Sequence, residues 1–235
     1  MLLEVSAVHA HYGKSHVLHG VDLDVAEATI VSLLGRNGSG RSTTLKTIMG
    51  LVPPTEGRIV LDGEDIAGRR PYEIARRGLG FVPEEREIFP NLTVQENLEM
   101  GVQRARAGTA SWAIQDMYAY FPRLTERRDT KAGNLSGGEK QMLTICRSLL
   151  GNPRILLVDE PTEGLAPKIV QVVTEVLLDV QRKGVAVVLV EQKLTVALKY
   201  SSRLFVMGHG RIVVQGTPEE LQARPDVRRE WLEVA

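Results

Sequence analysis

The chain has 235 residues, 29 basic and 29 acidic side chains for a formal net charge of +0, and one cysteine. Balanced charge removes the electrostatic case for a nucleic-acid partner, and a single thiol excludes an internal disulfide and suits a reducing compartment. The opening Met1-Leu2-Leu3-Glu4-Val5 lacks a signal peptide's basic start and apolar core, and no apolar run approaches the roughly 20 residues that cross a bilayer.

Residues 2–31 read as strands. Leu3, Val5 and Ala7 alternate with Glu4 and Ser6, and Val21, Leu23 and Val25 alternate with Asp22 and Asp24. A period of two leaves one face wet and predicts an antiparallel sheet. Tyr12, in His11-Tyr12-Gly13-Lys14, is either an aromatic at a strand end or a stacking platform for a nucleobase. His9, His11, His16 and His19 cluster in sequence, but they alternate with turn residues and have no cysteine or carboxylate at ligand spacing. A metal is not expected from them.

The run Ile30–Leu34 leads into Gly35-Arg36-Asn37-Gly38-Ser39-Gly40-Arg41-Ser42-Thr43 and then a helix start. Strand, glycine-rich turn and helix together are the context of a phosphate-binding loop. Glycines let the backbone approach a ligand so that successive N–H groups ring a phosphate chain, and the helix N-terminus adds partial positive charge. Ser42 is placed to put its hydroxyl on Mg2+, with Thr43 beside it for a phosphate oxygen. Arg41 stands where this pattern expects lysine; it keeps the charge but exchanges a compact ammonium for a planar fork.

Pro53–Gly57 reads as a turn, Arg58–Gly63 as a strand ending in a tight turn, and Pro71–Arg76 as a short helix with proline first. Gly80–Pro83 is a strand that runs into the charged loop Glu84–Pro90. Its Ile88-Phe89 pair marks either an interaction surface or a loop pinned to the core. Residues 91–131 read as helices, with Thr93 and Glu96 forming a capping box and Ile114, Met117, Tyr118 and Phe121 on one face. Such an insertion predicts a separate helical lobe.

Ser136, Gly137 and Gly138 open the next helix and form a second anion site at its N-terminus. Cys146 lies in that helix's apolar run and is read as packing only. The strand Ile155–Val158 delivers Asp159 and Glu160 at its C-terminal end, where open α/β sheets place ligands. A helix over Lys168–Lys183 and a buried strand over Val185–Val190 follow, the latter running into Glu191-Gln192. A strand pair, 204–207 and 211–214, and a capped helix from Thr217 complete the reading.

The order of these motifs, with Leu135-Ser136-Gly137-Gly138-Glu139 ahead of Leu156-Leu157-Val158-Asp159-Glu160-Pro161-Thr162, resembles the ATP-binding subunit of an ABC transporter over essentially the full length. Val82-Pro83-Glu84, Ile88-Phe89-Pro90-Asn91-Leu92-Thr93-Val94, Glu163-Gly164-Leu165-Ala166-Pro167 and Leu189-Val190-Glu191-Gln192 resemble the branched-chain amino-acid uptake type. Glu84, Ala166 and Gln192 replace the glutamine, aspartate and histidine usual in the superfamily, and Gln192 hydrogen-bonds without positive charge.

The resemblance implies an α/β P-loop ATPase of ABC type: a mixed core sheet, an N-terminal antiparallel β subdomain and a helical lobe at about 91–150, all in a single domain over 1–235. It implies ATP and Mg2+ as cofactors. Tyr12 would stack on adenine, Gly35 to Thr43 with Arg41 would hold the phosphates, and Ser42 and Asp159 would hold Mg2+. Glu160 would act as base, with Gln192 and Glu84 beside it, and Ser136, Gly137 and Gly138 would close over the ATP of a second, head-to-tail subunit. The helical lobe and the Glu84 loop would dock on a membrane permease from the cytoplasmic side. Urea or amide uptake, lipopolysaccharide export and a weakly hydrolysing variant owing to Arg41 remain as alternatives.

Overall fold

The computed structural model describes residues 1–105, 111–192 and 194–232. Its N-terminal sheet has the order β2-β1-β4-β5, with β1 (Leu3–Tyr12), β2 (Ser15–Val25), β4 (Pro54–Leu61) and β5 (Glu64–Asp65) all antiparallel. The expected wet face is present, but the alternation slips within β1. Leu3, Val5, Val8 and Ala10 are buried, whereas Ala7 is exposed. Ala7 takes φ 49° at a register shift and its carbonyl lies against Gly57, where a Cβ would meet that oxygen at 2.4 Å. This bulge moves the later apolar residues by one position and corrects the Leu3-Val5-Ala7 reading. It also shows why Pro54–Gly57 is strand rather than turn: β1 pairs with it from Ala10–Pro54 onward.

The second sheet has the order β10-β9-β3-β8-β7-β6. Strands β3 (Ile30–Gly35), β6 (Leu79–Val82), β7 (Ile155–Asp159), β8 (Ala186–Val190) and β9 (Arg203–Gly208) are parallel, and β10 (Arg211–Gly216) is an antiparallel edge. Neighbouring residues of the central strands enter different cores. Leu157, Val188 and Val190 pack toward the antiparallel sheet with Leu45 and Ile48 of α1 (Arg41–Ile48), while Leu156, Val158, Val187 and Leu189 pack on the opposite side. Burial on both faces is why these strands read as unbroken apolar runs.

The opposite core is covered by α3 (Val94–Glu99), α4 (Ile114–Tyr120), α5 (Pro122–Glu126), α6 (Gly137–Leu149) and α7 (Pro167–Arg182). Thr93 caps α3 through the expected reciprocal bonds with Glu96. Phe121 ends α4 rather than continuing it, and Trp112 is buried ahead of its first turn. The helical reading of 91–131 includes 106–110, which lie outside the described residues. α2 (Pro71–Arg76) starts on proline as read. α8 (Leu194–Tyr200), which the sequence reading passes over, joins α9 (Pro218–Gln222) in a third cluster against β9 and β10. Cys146 is fully buried, and burial pushes its thiol well above the usual range.

Candidate active site

The loop between β3 and α1 has the geometry its glycines demand. Gly40 sits at the helix N-cap with φ 107°, and a Cβ there would meet Leu18 Cδ2 at 3.0 Å and Met207 Cε at 3.2 Å. Gly35 lies behind the loop, where a Cβ would meet the Met207 carbonyl oxygen at 2.5 Å. No side chain caps α1, so its first N–H groups face outward, ready for an anion. From behind, the β9–β10 turn braces the loop through a bond from Gly210 N–H to the Ser39 carbonyl at 3.0 Å.

A cavity of about 310 Å3 lies in front of this loop, lined by Asn37, Gly38, Ser39, Gly40, Arg41, Ser42 and Thr43 together with Val17, Glu84, Glu160, Glu163 and Gln192. Residues from the ends of β3, β6, β7 and β8 thus converge at the carboxyl edge of the parallel sheet. Ser42 Oγ donates to Asp159 Oδ1 at 3.0 Å. Asp159 is buried, its Oδ2 has no hydrogen-bond partner among the described residues, and its pKa is raised by burial, with Glu84 adding to the rise against the bond from Ser42. Glu84, Glu160 and Glu163 each bring one carboxylate oxygen within 4.8 Å of the others. An unpaired buried carboxylate oxygen, a serine hydroxyl and clustered acids form a hard-oxygen donor set that fits Mg2+.

Arg41 and Glu160 form a buried ion pair, with Nη2 2.7 Å from Oε1 and side chains 5% and 7% exposed. Arg41 also donates to the Glu191 carbonyl at 3.1 Å and to Asn37 Oδ1 at 3.2 Å, and Gln192 Nε2 donates to Glu160 Oε2 at 2.7 Å. Both oxygens of Glu160 are therefore occupied by cavity-wall side chains. Burial pushes the Glu160 carboxyl up to about 7; Arg41 opposes that rise, and Glu163 reinforces it. Glu160 also holds φ 45°, a left-handed conformation uncommon for a residue with a Cβ.

Tyr12 is 49% exposed at the β1–β2 hairpin and lies outside the cavity lining. Ser136 caps α6, accepting from the Glu139 N–H, and both Ser136 and Gly137 are exposed with Gly138 half-buried. None of the three lines the cavity of its own chain.

Sequence reasoning overlooks Arg86. In the loop after β6, Arg86 has φ 52°, donates from Nη2 to the Glu163 carbonyl at 2.7 Å and from Nε to Gln141 Oε1 at 3.2 Å. Its Nη1 fills the space that a Cβ on Gly137 would occupy, 2.7 Å away. One guanidinium thus ties the Glu84 loop to the segment after Glu160 and to Gln141 of α6, and lies against the first turn of that helix at Gly137. The second glycine-rich tip was the only local signal, because the contact partners are 55 and 77 residues away.

A larger hollow of about 940 Å3 lies apart from this chemistry, between α2, β6 and α6, with Leu51, Tyr72, Arg76, Phe81, Pro83, Glu87 and Arg147 in its walls. Leu51 and Tyr72 are 51% and 52% exposed. Of the pair read as either pinned or exposed, Ile88 packs on the helical core while Phe89 stays exposed beneath the Arg147 guanidinium.

The ABC transporter family profile matches residues 18–163. Over 98% of this chain and 99% of the relative, it is 41% identical to the high-affinity branched-chain amino acid transport ATP-binding protein BraG of Pseudomonas aeruginosa. It is 34% identical to the lipopolysaccharide export system ATP-binding protein LptB of Haemophilus influenzae, over 94% of this chain and 92% of that one. A solved ATP-binding subunit of an ABC transporter superposes with TM-score 0.83 at 29% identity, covering 99% and 96% of the two chains. A dimeric ATP-binding cassette in a post-hydrolysis state with ADP and Pi superposes with TM-score 0.79 at 26% identity, covering 92% and 98%. With a phosphate loop, a strand-end Asp-Glu pair and an outward Ser-Gly-Gly tip on this fold, the chain belongs to the ABC transporter family, as one of its ATP-binding cassettes.

Proposed function

We propose that this chain is the ATP-hydrolysing subunit of an importer for branched-chain amino acids, working at the cytoplasmic face of the inner membrane. The observation that carries the reading is the convergence of the phosphate loop, Glu160 and Gln192 on one cavity, with Asp159 bonded to Ser42 at its wall, while Ser136–Gly138 lie outside its lining. The cargo rests on the full-length likeness to BraG. The cassette is a single unit over 1–235 with a helical lobe at about 91–150.

ATP enters with its adenine on Tyr12 and its phosphates along Gly35–Thr43, where the amides at the start of α1 and the positive charge of Arg41 receive them. Ser42 and Asp159 would hold Mg2+, which when bound would supply neutralising charge for the phosphates. Glu160 orients the attacking water and takes its proton, and Gln192 donates to the terminal phosphate, with Glu84 on the same wall. Before that, the phosphate must draw Arg41 away from Glu160, so arrival of nucleotide frees the base. Ser136, Gly137 and Gly138 close over the ATP of a head-to-tail partner, itself or a paralogue, so ATP holds two subunits together and hydrolysis releases them. The exposed apolar hollow beside the Glu84 loop, with the helical lobe, is the docking surface for a membrane permease.

The buried Arg41–Glu160 pair also supports a second reading, a nucleotide-binding subunit whose hydrolysis is weak. Leucine uptake and phosphate release, measured with the permease that co-purifies from membranes, separate the readings. Nucleotide-stimulated leucine uptake supports the first. A permease that instead carries urea, or a complex that exports lipopolysaccharide, overturns the cargo.

A further inference from the structure

The four histidines near the N-terminus take no part in the nucleotide cavity, yet the sheet gathers them. Across β2, β1 and β4, His19 stands opposite His9 and His9 opposite Glu56, while His16 stands opposite His11. Directly opposed residues of antiparallel strands share a face. His9, His19 and Glu56 therefore form one row and His11 and His16 the next, on the side away from buried Val8, Ala10 and Leu18. His9 Nδ1 and His16 Nε2 are 3.0 Å apart. The His11 ring stacks on His16 at 4.1 Å and 12°, and the His19 ring lies 4.0 Å from His16.

We propose that His9 and His16, joined by His19 and Glu56, bind a divalent transition cation of the zinc, copper and nickel class on the outer face of the N-terminal sheet. Metal–nitrogen bonds of about 2.05 Å place two ligand nitrogens about 2.9 Å apart at a right angle and about 3.3 Å apart at the tetrahedral angle. The observed 3.0 Å lies between these limits. Without metal the same contact is an N–H···N hydrogen bond; a cation held by both nitrogens would lie off the line that joins them, with both rings turned toward it and the donor ring's hydrogen moved to its other nitrogen. As the rings stand, His9 and His16 supply the bite, and no third histidine or acidic ligand atom among the described residues completes the group. His19 and Glu56, rotated toward the pair, and water would fill the remaining positions. Imidazole donors favour zinc, copper or nickel over Mg2+, so this site and the hard-oxygen cavity select different ions. In the sequence these histidines alternate with turn residues and lack a cysteine or carboxylate at ligand spacing; Glu56 arrives only through the pairing of β4 with β1.

This inference is independent of the ATPase reading. The test uses the full chain without a polyhistidine tag, freed of metal by chelator and titrated with ZnCl2 by calorimetry at pH 7.5. A parallel sample is loaded with one equivalent of Cu2+ for electron paramagnetic resonance. The parent is expected to bind one Zn2+ per chain, the pair His9→Ala and His16→Ala to weaken binding at least tenfold, and the Cu2+ spectrum to show splitting from two or more imidazole nitrogens. Unchanged zinc affinity in the double variant, or a Cu2+ spectrum without imidazole nitrogen in the parent, overturns the proposal. The spectrum needs no variant, so it stands even if the double substitution disturbs the hairpin.

Discussion

Replacing Arg41 with lysine probes the contact that most distinguishes this site. The guanidinium spans Glu160 Oε1, the Glu191 carbonyl and Asn37 Oδ1. Lysine has the same charge but presents a single nitrogen, so it cannot bridge all three across that width. A hydrogen bond to a charged partner contributes roughly 1.5–3 kcal/mol, and each 1.36 kcal/mol is about tenfold in rate. If releasing Glu160 from Arg41 lies on the route to hydrolysis, Arg41→Lys raises turnover by at most about 10- to 150-fold, with ATP affinity unchanged or improved. Phosphate release under saturating Mg-ATP gives the rate, and calorimetric titration with a non-hydrolysable ATP analogue gives the affinity. A large loss of either quantity would refute the reasoning and show a phosphate site built around the guanidinium. Arg41→Met marks the other limit. It removes the positive charge that opposes burial, so the Glu160 pKa rises further and the acid limb of the rate profile moves to higher pH.

Glu160→Gln is expected to lose at least about 10²-fold in turnover while retaining ATP, and to accumulate as an ATP-bound dimer by light scattering; parent-like turnover removes Glu160 from the base role. Because the base must be ionised and its carboxyl, while paired with Arg41, is pushed up to about 7, kcat/KM for ATP should fall as pH drops through that value, and a flat kcat/KM between pH 6 and 8 contradicts the assignment. Arg86→Ala should slow hydrolysis more at low than at saturating partner concentration, since it frees the α6 tip from the Glu84 loop, with partial rescue by Arg86→Lys. An equal loss at every concentration points to general destabilisation instead.

The parts of the site written in contiguous residues were legible beforehand: Gly35–Thr43, Ser136–Gly138 and the Asp159-Glu160 pair each carry their own strand or helix context. Relations that depend on tertiary register were not. Arg41 meets the Glu191 carbonyl 150 residues away, and Arg86 reaches Glu163 across 77. The Ala7 bulge exists because β4 presents Gly57 to it, and no period within β1 reveals that. The strands at Ile155–Val158 and Val185–Val190 are legible because burial on both faces leaves them continuous apolar runs. α8 was missed because its seven residues pack one stripe into a small peripheral cluster and leave little periodic signal.

Mixing two inactive chains tests the shared-site claim most directly. One carries Glu160→Gln, the other Ser136→Arg, and the parent, assayed alone, sets the full rate. If each nucleotide lies between the phosphate loop of one chain and the Ser136–Gly138 tip of its partner, a mixed pair holds one intact site, and an equimolar mixture rises above the average of the two variants to at most about a quarter of the parent rate, the limit for random two-fold pairing. Activity no higher than the average of the two variants assayed separately would place the whole site within a single chain and contradict the account.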